Sequence, residues 1–125
     1  NPKQVVIYCG ENDLAASDTV SAATVAQRFI TLFNMIRDRY PKIPVLYVSM
    51  KPSPSREHLM HKMDAGNWAI EEFLKKQKRT MYVDAYHLML DANGEPRKEL
   101  FINDMLHMNK NGYAIWQKAI GPYLK

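Results

Sequence analysis

Apolar positions along the chain fall into three short continuous runs separated by longer periodic stretches. The runs are Val5-Val6-Ile7-Tyr8-Cys9, Pro44-Val45-Leu46-Tyr47-Val48-Ser49 and Met81-Tyr82-Val83-Asp84-Ala85. Continuous rather than alternating apolar character is expected of parallel strands covered on both faces. Between them the period changes. Val25, Phe29, Leu32 and Ile36 form one helical stripe, and Leu59, Met63, Ile70 and Phe73 a second. A third, with Tyr113, Trp116, Ile120 and Leu124, closes the chain; Gly112 stands near its start and Pro122 at its end. The order is β-α-β-α-β-loop-α, which predicts an α/β sandwich.

Local punctuation supports these elements. Ser17 and Asp18 are candidate N-caps for the first helix and Ser55 for the second. Pro41 and Pro44 bracket the entry to the second strand, and Asn93-Gly94 marks a turn. No internal repeat, low-complexity tract or linker interrupts the pattern, so residues 1–125 read as part of one domain.

The inferred topology leaves surface uncovered. Crossovers between parallel strands are right-handed almost without exception. With three strands in sequential order, both crossover helices then pack on one face and only the last helix covers the other. The first run reads as a buried central strand, yet its outer edge has no partner in this order. Such an edge is an apolar pairing template. The expectation is that an N-terminal segment supplying further strands is missing from this chain. The alternative is a dimer mate along Val5–Cys9.

Composition narrows the classes. Hydrophobic residues make up 46% and charged residues 24%, as in ordinary globular domains. No apolar run approaches the roughly 18 residues of a membrane span. The net charge is +4, with Lys75, Lys76, Lys78 and Arg79 clustered at a predicted helix end. The helix dipole and solvation account for cations there, and without interleaved aromatics the cluster does not read as a nucleic-acid surface. The lone Cys9 permits no internal disulfide and reads as a small buried hydrophobe. The eight methionines, among them Met60, Met63, Met105 and Met108, read as core filler.

Candidate chemistry collects in loops that follow strands, where ligands bind in parallel sheets. Asp104 and His107 are three apart before the last helix. A local turn at that spacing returns the carboxylate to one imidazole nitrogen and leaves the other as a base. The plainer alternative is that Asp104 caps a turn. Asn12, in Gly10-Glu11-Asn12-Asp13, offers an amide donor suited to an oxyanion; the plainer alternative is a tight turn in which Asn12 and Asp13 bond the backbone. His58 and His61 have helical spacing for a metal pair but no third ligand, and Asp91, Asn93 and Glu95 lack the spacing of a calcium loop, so no metal is expected.

Taken together, three blocks resemble the SGNH (GDSL-like) hydrolase family in order and spacing. They are Gly10-Glu11-Asn12-Asp13-Leu14-Ala15, Lys51-Pro52-Ser53-Pro54-Ser55-Arg56, and Phe101-Ile102-Asn103-Asp104-Met105-Leu106-His107-Met108-Asn109-Lys110-Asn111-Gly112-Tyr113. The resemblance runs over essentially the whole chain. It implies a three-layer α/β/α sandwich with a parallel, flavodoxin-like sheet, of which this chain is the C-terminal portion. It implies Asp104 and His107 as catalytic residues, Asn12 as oxyanion donor, and Gly10 and Asp13 as parts of the active-site loop. No cofactor is implied. The Pro52–Arg56 stretch is similar to a subgroup of secreted or periplasmic bacterial esterases.

One departure matters. The family places its nucleophile in a Gly-Asp-Ser block near the start of the fold and a second oxyanion donor in a glycine block. Neither is present in these residues. Ser17 and Ser55 read as caps, Ser53 lies between prolines and Ser49 ends a strand, so none presents an exposed, activated hydroxyl. The expected function is hydrolysis of small acyl esters, some on carbohydrates, by a Ser-His-Asp mechanism whose Ser lies outside this chain. The alternative is a non-catalytic binding or assembly module that kept the fold.

Overall fold

The computed structural model describes residues 2–125. Three parallel strands, β1 (Val5–Ile7), β2 (Val45–Val48) and β3 (Thr80–Val83), form one sheet in the order β1-β2-β3. Val5 stands opposite Val45 and Ile7 opposite Tyr47, while Val45 faces Thr80 and Val48 faces Val83. Two long helices, α2 (Ala22–Arg39) and α3 (Met60–Lys75), supply the crossovers. Three shorter or later helices are α1 (Glu11–Ala16), α4 (Ala85–Leu88) and α5 (Lys110–Ile120).

Alternation along β2 sorts its side chains between two layers. Val45 and Tyr47 enter a core with Phe29 and Phe33 of α2 and Ile70 and Leu74 of α3. Leu46 and Val48 face the opposite way, against Trp116, Ala119 and Ile120 of α5. All four residues are buried. That explains the unbroken apolar run, because a strand covered on both faces has no solvent side. Both crossover helices lie on one face and α5 on the other, as the handedness rule requires.

Coverage is thinner over β1. Ile7 is buried, but Val6 is 47% exposed. The apolar run predicted burial on both faces, and this is corrected for Val6. The reason is placement: α5 packs over β2 and β3, and reaches the end of β1 only where Trp116 meets Tyr8 edge-on at 4.7 Å. Cys9 is likewise exposed rather than buried, because the strand has ended by then. Among the described residues β1 pairs only with β2.

Helix boundaries differ from the expected ones for local reasons. Ser17 bonds within a turn, its Oγ accepting from the Thr19 N–H at 3.2 Å. The cap of α2 is Ser21, whose Oγ accepts from the Thr24 N–H at 3.1 Å. Ser55 lies inside a 3-10 turn, Pro54–Leu59, that precedes α3. The buried stripe of α2 runs Val25, Ala26, Phe29, Phe33, leaving Leu32 exposed. In α5, Tyr113 is exposed, and so is Leu124 beyond the helix. Met63 and Met108 are core residues; Met105 is exposed.

Two glycines are fixed by close approach. Gly10 has φ +120°, and a Cβ there would meet Met50 Sδ and Val25 Cγ1 at 2.8 Å. Gly112 brings α5 against Leu100; a Cβ would stand 2.6 Å from the Leu100 carbonyl oxygen. A rigid backbone oxygen cannot yield as a side chain does, so α5 docks at this point only with glycine.

Candidate active site

Three loops leave the carboxyl ends of the strands and meet around a cleft of about 360 Å³. From the first come Tyr8, Glu11 and Asn12; from the second Lys51 and Arg56; from the third Leu106, His107 and Met108. Tyr113 and Trp116 of α5 complete the lining. The sheet thus brings together segments far apart in sequence, at the edge where parallel sheets bind ligands.

The third loop is closed at its base. Phe101 and Met108 form an isolated antiparallel bridge, and the Ile102 N–H donates to the His107 carbonyl at 3.0 Å. Asn109 then performs two tasks. Its Oδ1 caps α5, accepting from the N–H groups of Asn111 and Gly112, while its Nδ2 donates to the Glu99 carbonyl at 2.8 Å. Helix start and loop are locked by one side chain, which fixes where His107 emerges.

Within this loop Asp104 turns back on His107. Its Oδ1 accepts the backbone N–H groups of Leu106 and His107, both at 2.9 Å. Its Oδ2 lies 2.6 Å from His107 Nδ1. Asp104 therefore caps the turn with one oxygen and holds the imidazole with the other. The hydrogen bond from the His107 ring comes first among the causes that hold the Asp104 carboxyl down to about 2, followed by the two backbone N–H groups. With Nδ1–H directed at a carboxylate, Nε2 is left as the acceptor nitrogen. It makes no hydrogen bond among the described residues, and His107 lines the cleft.

Asn12 sits in the first turn of α1, which sequence reasoning read as a loop. Its Oδ1 accepts from Arg56 Nη1 at 2.9 Å. Arginine only donates, so the amide orientation is settled and Nδ2 remains free to donate. Gly10 makes the sharp turn into α1. Asp13 points elsewhere: it pairs with Arg28 of α2 at 3.3 Å and is absent from the cleft wall.

A charged group in the cleft wall was not foreseen. Glu11 and Lys51 are both buried and paired at 3.0 Å, and the Lys51 backbone N–H also donates to Glu11 Oε2 at 2.9 Å. The Tyr8 hydroxyl donates to Glu11 Oε1. Burial first, then the Glu11 charge, push the Tyr8 phenol well above its ordinary value, so it stays protonated and donating. The hints in the sequence were a lysine three residues past a buried strand and a glutamate directly after Gly10. A second missed group is Asp84–His87, whose carboxylate and ring are also 2.6 Å apart.

Among the described residues no serine or cysteine lines the cleft. Ser49 Oγ accepts from the N–H groups of Ala85 and Tyr86, both at 2.9 Å, and starts α4. Ser53 is buried. Among the described residues no three His, Cys, Asp or Glu side chains gather as a metal site, and no helix is long and apolar enough to cross a membrane.

Comparison with known proteins agrees with this architecture. The model of the GDSL-like lipase/acylhydrolase family matches residues 1–115, and the chain belongs to that family. Solved structures share the fold. A GDSL-like lipase from Bacteroides thetaiotaomicron is 23% identical with a TM-score of 0.79, covering 97% of this chain and 61% of its own. A family 3 carbohydrate esterase from Talaromyces cellulolyticus is 20% identical with a TM-score of 0.79, covering 97% and 56%. A family 3 carbohydrate esterase from Clostridium thermocellum is 20% identical with a TM-score of 0.69, covering 97% and 57%. The chain therefore spans less than two thirds of the length of these structures. No curated protein matches it.

Proposed function

We propose that this chain carries the acid–base and oxyanion part of a serine esterase acting on small acyl esters. The observation that carries the reading is the Asp104–His107 pair: Nδ1 is engaged at 2.6 Å, and His107 lines a cleft that also holds Asn12. In the proposed reaction a serine Oγ from outside these residues attacks the ester carbonyl and gives its proton to His107 Nε2. Asp104 stabilises the imidazolium that results. The tetrahedral oxyanion accepts a hydrogen bond from Asn12 Nδ2. As the intermediate collapses, His107 returns the proton to the departing alcohol. Water then repeats the sequence on the acyl-enzyme.

Two features support a serine supplied by other polypeptide. Among the described residues no serine or cysteine lines the cleft, and β1, next to Tyr8, pairs only with β2. The aromatic wall of Tyr8, Tyr113 and Trp116 suits a sugar ring or a short acyl chain, and two structural neighbours are carbohydrate esterases. The missing nucleophile also favours a second reading, a binding module that kept the fold without the chemistry.

The test is hydrolysis of 4-nitrophenyl acetate. The 125-residue chain alone is expected to show no turnover above background, since loss of the nucleophile removes about as much rate as loss of a whole triad. A longer natural form containing the serine is expected to be active and to lose at least ~10⁴-fold in kcat with His107→Ala. Activity in the long form that survives this substitution would reject the assignment; inactivity of the long form would favour the binding module.

A further inference from the structure

The Pro52–Arg56 stretch has no part in the chemistry just described, yet it touches both halves of the site. It leaves β2 between the other two loops. The Ser55 N–H donates to the Met105 carbonyl at 3.0 Å, inside the Asp104–His107 turn. Met105 itself has φ +54°, an uncommon backbone conformation, and it is Met105 that Ser55 meets. One residue later Arg56 Nη1 donates to Asn12 Oδ1 at 2.9 Å. The segment between is stiff. Pro54 opens a 3-10 turn, and the Arg56 N–H closes onto the Ser53 carbonyl at 3.1 Å.

The Arg56 contact does more than hold. A guanidinium can only donate, so it selects the amide face on which Oδ1 lies and leaves Nδ2 for the cleft. A cation on the carbonyl oxygen also draws density from the amide nitrogen, which strengthens Nδ2–H as a donor and raises the double-bond character of Cγ–Nδ2. That cationic charge is not spent elsewhere. Arg56 pairs with no carboxylate among the described residues, and Glu11, the acid of the cleft wall, is taken by Lys51.

We infer that Arg56 is a positioning residue that orients and polarises the Asn12 amide, and that the Pro52–Arg56 segment sets the register of Asn12 against the Asp104–His107 turn. The catalytic meaning of this rests on Asn12 being the oxyanion donor; the structural meaning does not.

The first arm of the test is nuclear magnetic resonance of the Asn12 side-chain amide in the 125-residue protein. Arg56→Met keeps the apolar stem and removes the guanidinium. Rotation about Cγ–Nδ2 should quicken by about twofold or more, as loss of a charge-assisted bond to the carbonyl oxygen requires. Arg56→Lys should return the rate toward that of the parent protein. Arg56→Gln gives the same reading should the methionine variant fail to fold. Unchanged Asn12 signals in a folded variant overturn the inference. The second arm uses the serine-containing form with 4-nitrophenyl acetate. Losing an oxyanion donor costs ~10²–10³ in kcat, so disorienting it should cost on the order of 10-fold with KM within about twofold. An unchanged kcat in Arg56→Met, with Asn12→Ala impaired, overturns the catalytic meaning for Arg56. An unchanged kcat in Asn12→Ala instead rejects Asn12 as the donor, while the resonance arm still decides whether Arg56 positions it.

Discussion

The chain makes the same Asp-His contact twice, once at the N-cap of α4 and once in a loop turn with Met105 at φ +54°, and sets the two in unlike surroundings. In Asp84–His87 and in Asp104–His107 the carboxylate accepts the histidine N–H, at 3.0 and 2.9 Å, and approaches its Nδ1 to 2.6 Å. Side-chain exposures nearly match, 64% and 68% for the two histidines. Three-residue spacing therefore gives an Asp-His pair on two different backbones, and the pair by itself is not a site. What differs is the company. His87 lies against Tyr86, with its ring edge-on at 5.1 Å. His107 shares a cleft with Asn12, Arg56 and the Glu11–Lys51 pair. Chemistry is selected by what the free imidazole nitrogen can reach.

The largest effect expected from this difference is on stability. Glu11→Ala leaves the Lys51 ammonium buried without its partner and should cost about 3–5 kcal/mol. Asp84→Ala removes the exposed cap of α4 and should cost only about 1 kcal/mol. Urea midpoints at constant slope measure both. Equal costs would mean that the cleft wall is no more built than the second turn.

A smaller, sharper effect concerns protons. The Asp104 carboxyl is held down to about 2, first by the His107 ring. Its folded value lies below the unfolded one of about 3.9. The pairing therefore adds stability at pH values above about 3.9 and loses it as pH falls through the folded value. His107→Ala should move the carboxyl titration, followed by carbon resonance, back up toward the unfolded value. An unmoved titration would show that the backbone N–H groups, and not the ring, hold the carboxylate.

Much of this was legible in the residues. The three strands announced themselves because β2 is buried on both faces, and the handedness rule then placed both crossover helices on one side. Asp104, His107 and Asn12 were found because spacing and order carry them. Other features depended on distant contacts. Helix α1 was hidden because Gly10-Glu11-Asn12-Asp13 has the composition of a turn, and its buried residues, Glu11 and Leu14, are settled by Lys51 and the Met50 cluster. Asp84 was read as the inside of a strand that ends at Val83, which concealed the second pair. The exposure of Val6 depends on where α5 docks, and that is fixed by the Gly112 approach to Leu100, a contact with no periodic signature.

The most direct test of the central claim is a titration of the protein with sodium acetate, the acid product of the smallest candidate ester, read at the imidazole nitrogens of both histidines. The claim that only one of two equal Asp-His pairs opens onto a binding cleft predicts a saturable shift of His107 Nε2 that is abolished by Asn12→Ala, with His87 unmoved. Equal shifts at both histidines, or a response of His87 alone, would contradict it.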